Sequence, residues 1–86
     1  MSTETAELQF PVVWHYRVIT DGRQGALDEL IAVLKRHGVD TVPEEGRRSR
    51  EGKYLTYTVS VTFDDKESLH GLSAALEAAE CVKYLL

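Results

Sequence analysis

From eighty-six residues, 43% hydrophobic and 28% charged, one small globular domain is expected, without room for a second. Ten Lys and Arg against fourteen Asp and Glu give a net charge of −4, so the molecular field repels phosphate backbones and anionic lipid. Non-specific nucleic-acid binding and adhesion to a membrane surface are thereby excluded. The one cysteine, Cys81, cannot form an internal disulfide, and Met1–Gln9 carries Glu4 and Glu7 without an apolar run, unlike a signal peptide or a membrane span. A cytoplasmic protein is expected.

Residues 1–9 are polar and aperiodic and are expected as a frayed tail, leaving residues 10–86 as the domain. Phe10-Pro11 starts the ordered part. Val12–Ile19 reads as a strand with Trp14, Tyr16 and Val18 on one face and Val13, His15, Arg17 and Ile19 on the other. Thr20–Gly25 holds two glycines and Asp21 as a candidate cap.

Over Ala26–His37 the period changes to 3.6, with Leu27, Leu30, Ile31 and Leu34 in one stripe. Asp28 and Glu29 come early, Lys35 and Arg36 late, as the helix dipole favours, and Gly38 follows as a left-handed cap. Val39–Arg48 reads as an edge strand interrupted by Pro43 and protected by its charges. Ser49–Gly52 is a turn. From Lys53 the alternation is strict, with Leu55, Tyr57, Val59, Val61 and Phe63 facing one way and Tyr54, Thr56, Thr58, Ser60 and Thr62 the other. Asp64 with Glu67 resembles a capping box opening a second helix, whose stripe is Leu69, Leu72, Ala75, Leu76 and Ala79. Gly71 within it suggests a close approach to the sheet or a weak point. Cys81–Leu86 ends the chain as a strand, with Cys81, Lys83 and Leu85 on the face opposite Val82, Tyr84 and Leu86.

The element order predicts an α+β, ferredoxin-like βαββαβ sandwich: a four-stranded antiparallel sheet in order 4-1-3-2 with both helices on one face. The loop after the first strand, the central hairpin and the turn before the last strand should then share one end of the sheet.

Phe10-Pro11 with Trp14-His15-Tyr16-Arg17-Val18, the hairpin Ser49-Arg50-Glu51-Gly52-Lys53-Tyr54 leading into Val59-Ser60-Val61-Thr62, and the ending Val82-Lys83-Tyr84-Leu85-Leu86 resemble the bacterial YbeD-like family. Its members share a Phe-Pro start, a Ser-x-x-Gly-x-Tyr hairpin and an apolar last strand. The resemblance spans nearly all of the ordered chain and implies an ACT-like ferredoxin fold, the architecture of small regulatory domains that bind amino acids or pair side by side. Such proteins are called lipoate regulatory by association, and the family supplies no catalytic residues.

Enzyme chemistry finds little to use. Gly22-Arg23-Gln24-Gly25 resembles an acylphosphatase phosphate loop, but the chemistry needs an Arg shortly afterwards and an Asn to position water. Glu29 stands near the first position and the chain contains no Asn. His15, His37 and His70 share no ligand spacing, so no metal is expected, nor any cofactor. Cys81 lacks electropositive neighbours and reads as a structural thiol. No nucleophile–base pair can be assembled.

Two surfaces remain. Gly22, Arg23 and Gly25 with the basic hairpin residues Arg47, Arg48, Arg50 and Lys53 form a candidate site for a small anion or amino acid at the first helix start. Glu44, Glu45 and Glu51 interleave with those cations, and a solvated hairpin explains them as simply. The uncovered sheet face, with His15, Arg17, Thr56, Thr58, Ser60 and Lys83 beside Val13, Ile19 and Leu85, is the candidate surface for a protein partner or self-association. RNA-recognition modules stack bases on such a face, but Tyr54 is the one aromatic expected there, so no nucleic acid is expected. A non-enzymatic regulatory or interaction domain is the leading expectation and a metabolite sensor the alternative.

Overall fold

A computed structural model of the chain describes residues 9–86; the expected frayed tail, apart from Gln9, lies outside the described residues. The elements run β1 (Val12–Thr20), α1 (Ala26–Arg36), β2 (Glu44–Arg48), β3 (Leu55–Phe63), α2 (Lys66–Ala78) and β4 (Val82–Leu85). The antiparallel strands lie in order β2-β3-β1-β4, the predicted arrangement read from its other edge.

β3 forms because β-branched and aromatic side chains fit a half-buried pleat, and its two faces separate as the alternation requires. Leu55, Tyr57, Val59, Val61 and Phe63 are buried beneath the helices, whereas Thr58, Ser60 and Thr62 are exposed. β1 lies against it in continuous register from Val12↔Phe63 to Thr20↔Leu55. Directly opposed residues share a face, so Tyr16 and Val18 join the core while His15 and Arg17 face out. The helices contribute Leu30, Val33 and Leu34 from α1 and Leu69, Leu72 and Leu76 from α2. Burying one such leucine stabilises the fold by roughly 1.5–3 kcal/mol, so two apolar stripes over one sheet face suffice for a chain of this size.

Two polar groups sit inside this core with their partners in place. The Thr20 hydroxyl donates to the Leu55 carbonyl at 2.8 Å and accepts the Gly22 N–H at 3.2 Å. The Tyr16 hydroxyl pairs with Ser73 Oγ at 2.7 Å, fixing β1 to α2, and its ring meets Phe63 edge-on. Burial raises the Tyr16 pKa, so the hydroxyl stays neutral and available for that bond.

α1 ends where Gly38, at φ 78°, turns left-handed; its N–H reaches the Lys35 carbonyl at 3.0 Å and the Val39 N–H reaches that of Leu34 at 2.9 Å. His37 is the cap residue rather than the last helical one.

Four sequence expectations are corrected. β2 begins after Pro43 and not at Val39, because proline cannot donate to a ladder. α2 is capped by Asp65, whose carboxylate accepts the Ser68 N–H at 2.7 Å, and not by Asp64 with Glu67. Asp21 caps no helix: it accepts the Arg23 N–H at 3.1 Å within its own turn. Gly71 approaches α1 rather than the sheet, a Cβ there lying 3.9 Å from the His37 ring.

Candidate functional site

The open face of the sheet is set by register. Ile19 stands opposite Tyr84 and Val18 opposite Leu85, while Val82 opposes Thr20; Lys83 is the extra residue of a bulge between them. The bulge reverses the alternation expected for β4. Leu85 turns inward and packs against the core, and Tyr84 and Leu86 take its place outside. Lys83 belongs to neither row, and its charge contributes to the lowered pKa of Asp21 at the loop end.

All five large hydrophobic side chains that are exposed among the described residues border this face: Val13, Val42, Tyr54, Tyr84 and Leu86, at 37–65% exposure. Val13 is opposite Thr62. Tyr54 and Tyr84 stand with ring centroids 6.4 Å apart. Val42 lines a shallow recess with Thr58 and Ser60 beside β2. Leu86 borders a second depression of about 420 Å³ with His15, Arg17 and Ser60. The expected face residues His15, Arg17, Thr56, Thr58 and Ser60 do come together, and His15 Nδ1 lies 2.7 Å from Ser60 Oγ across the strands. Tyr84 and Leu86 were hidden from sequence reasoning, since only the bulge reveals their direction.

The loop end assembles as expected in topology but not in chemistry. A groove of about 470 Å³ is lined by Gly22, Arg23, Gly25, Glu45, Arg48 and Tyr57, among others. A Cβ on Gly22 would lie 2.9 Å from the Arg48 guanidinium, which itself donates to the Gly52 carbonyl at 3.3 Å. Arg23 does not face an incoming anion unopposed. Its Nε donates to Asp21 Oδ2 at 2.7 Å and another guanidinium nitrogen lies 3.9 Å from Glu80. That hydrogen bond holds the Asp21 carboxyl below the usual aspartate range and raises the Arg23 pKa. Glu45 and Asp28 bring further negative charge to the lining. Arg47, Arg50 and Lys53 do not line the groove, and Lys53 pairs instead with Glu51 at 3.5 Å.

Cys81 is fully buried, 3.8 Å from the Ala26 carbonyl, and burial, with the Glu29 carboxylate adding to it, pushes its thiol up to about 12. Glu29 also accepts the Glu80 N–H at 2.8 Å, tying α1 to the turn before β4. These groups are committed to structure. Among the described residues no three His, Cys, Asp or Glu side chains gather as metal ligands.

The DUF493 family, described as "Protein of unknown function (DUF493)", matches residues 5–86. A UPF0250 protein of Shewanella loihica is 35% identical over 79 residues, covering 92% of this chain and 90% of its own. A UPF0250 protein of Pseudomonas putida is 34% identical over 82 residues, covering 93% and 90%. The solution structure of HP0495 from Helicobacter pylori superposes with a TM-score of 0.82 at 18% identity, over 98% of this chain and 90% of that one, and so shares the fold. With the fold, the hairpin and the curated relatives in agreement, the chain belongs to the DUF493/UPF0250 family, the YbeD-like proteins of unknown function.

Proposed function

We propose that this domain is a non-enzymatic, cytoplasmic protein-docking module whose contact surface is the uncovered face of its sheet. The observation that carries this reading is the gathering of the exposed hydrophobic side chains. Val13, Val42, Tyr54, Tyr84 and Leu86 all border one face, interleaved with hydroxyls and the cation Arg17, while the helices expose no comparable group. Such a mixture, with aromatic anchors amid polar residues, is the composition of a protein interface. The buried Tyr16 and Thr20 hydroxyls and the Cys81 thiol are held in structural bonds, which supports a non-catalytic role. No helix among the described residues is long and apolar enough to cross a membrane.

The alternative, a sensor of a small anion at the loop end, draws little from the groove, because Asp21 and Glu80 oppose Arg23 and two more acids line it. The docking reading is tested by placing a photo-crosslinking amino acid at Tyr54 or Tyr84 in cells and, for contrast, at Glu67 on α2. Partner adducts from both sheet positions, lost on Leu86→Glu and absent from Glu67, are the expected result. Equal labelling from sheet and helix positions, or none from the sheet, overturns it.

A further inference from the structure

β1 is nine residues long, yet β4 accompanies only its second half. Val18–Thr20 pair with β4, and Arg17 exchanges both backbone bonds with Leu86, at 3.0 and 2.9 Å. In an antiparallel ladder, residues directing N–H and C=O to one neighbour alternate with those directing them to the other. Arg17 addresses the β4 side, so Val13 and His15 do too, and among the described residues no strand meets them there. A central strand is thus left open over Val12–Tyr16, about 17 Å of extended chain, with two donors and two acceptors along it.

The side chains around this gap differ by face. Towards the helices stand Val12 and Trp14, each partly exposed although packed against the core. Towards the open face stand Val13, His15 and Arg17, the last two beside the depression at the end of β4. No carboxylate side chain lines that depression, and Arg17 enters none of the ion pairs among the described residues.

We infer that the gap is a strand-addition site for an extended segment of another protein, apolar at alternate positions and acidic at those between. The period of two directs the apolar side chains onto Val12 and Trp14 and the carboxylates towards His15 and Arg17, while Val13 and His15 supply the main-chain bonds. The inference rests on the docking reading and narrows it to one mode and one partner chemistry. A second copy of the chain fits less well, since β1 against β1 brings no acid to Arg17.

The test is an NMR titration of the full ¹⁵N-labelled chain with a blocked peptide of alternating Glu and Val long enough to span the gap. The Val13 and His15 amides should shift saturably and exchange more slowly with solvent, and a matching Lys–Val peptide should bind about tenfold more weakly, a difference of 1.4 kcal/mol. Arg17→Glu, a change at an exposed side chain, should reverse that preference. Unmoved Val13 and His15 amides, or equal binding of both peptides, overturn the inference. So do shifts that depend on protein concentration without peptide, which would mean self-pairing. Protection in the free chain that vanishes on deleting residues 1–8 would assign the gap to the chain's own Glu4–Glu7 segment and likewise overturn it. If cross-linking from Tyr54 and Tyr84 succeeds while the peptide fails, docking through the face stands and strand addition falls.

Discussion

The two faces of β3 use the same backbone and the same period, and they have different tasks. Leu55, Tyr57, Val59, Val61 and Phe63 are sealed by two helices, whereas Thr58, Ser60 and Thr62 meet solvent. On the covered side of the sheet the Tyr16 and Thr20 hydroxyls are bonded within the structure. The open side presents hydroxyls and apolar side chains to solvent, with Ser60 Oγ 2.7 Å from His15 Nδ1 as its one cross-strand side-chain bond among the described residues, and this contrast separates fold from function in so small a domain.

The contrast can be broken or sharpened in five places, the largest effect first. Cys81 belongs to the covered side, and a thiol raised from 9.0 to about 12 holds about a thousandfold less thiolate than a free one at the same pH. Thiol titration of the native chain should therefore be slow and become rapid only in denaturant; prompt native labelling would contradict the packing around Ala26. Leu72→Ala empties a fully buried site on α2 and should cost about 2–5 kcal/mol in a urea unfolding curve. Thr20→Val keeps the volume but leaves the Gly22 N–H and the Leu55 carbonyl without their partner, at about 1–3 kcal/mol.

Asp65 gives a smaller, pH-dependent effect. Hydrogen bonds from Ser68 lower its pKa below the ordinary 3.8, so its contribution is complete above that value and is lost as pH falls through the lower folded pKa. Asp65→Asn keeps a capping oxygen and should flatten the acid limb of the stability profile below about pH 4. Smallest of all, Tyr84→Ser on the open face should change stability by less than about 0.5 kcal/mol. It should nevertheless abolish partner cross-linking, so that a substitution nearly silent in folding is loud in docking.

Much of this was legible in the sequence, and the failures share a cause. The alternation of β3, the stripe of α2 and the cap at Gly38 are local patterns with one physical reading, and together they dictate the sheet order. On α1 the buried row runs through Ala26, Leu30, Val33 and Leu34, so the expected stripe is shifted, with Val33 in the core and Ile31 outside it. Position along the chain was harder where two residues could do one job: Asp64 and Asp65 both suit a cap, and only the helix start chooses between them. The face of β4 was misread because the bulge at Lys83 is a property of pairing with β1, which no local pattern in Val82–Leu86 discloses. At the loop rim Gly22, Arg23, Gly25 and Arg48 line one groove, whereas Arg47, Arg50 and Lys53 stand outside it and acids oppose Arg23. The salt links of Arg23 to Asp21 and Glu80 join residues far apart in sequence as well as near ones.

The edge strand β2 carries a consequence of its own. Gly46 lies in an irregularity of the β2–β3 ladder, where a Cβ would sit 3.1 Å from the Thr56 carbonyl, and all five residues of the strand are exposed, four of them charged. A kinked, charged border of this kind refuses further strands. Any chain captured at the opposite border therefore cannot be relayed across the molecule to a next one. Assembly by strand capture would stop at a finite complex instead of growing into a fibre.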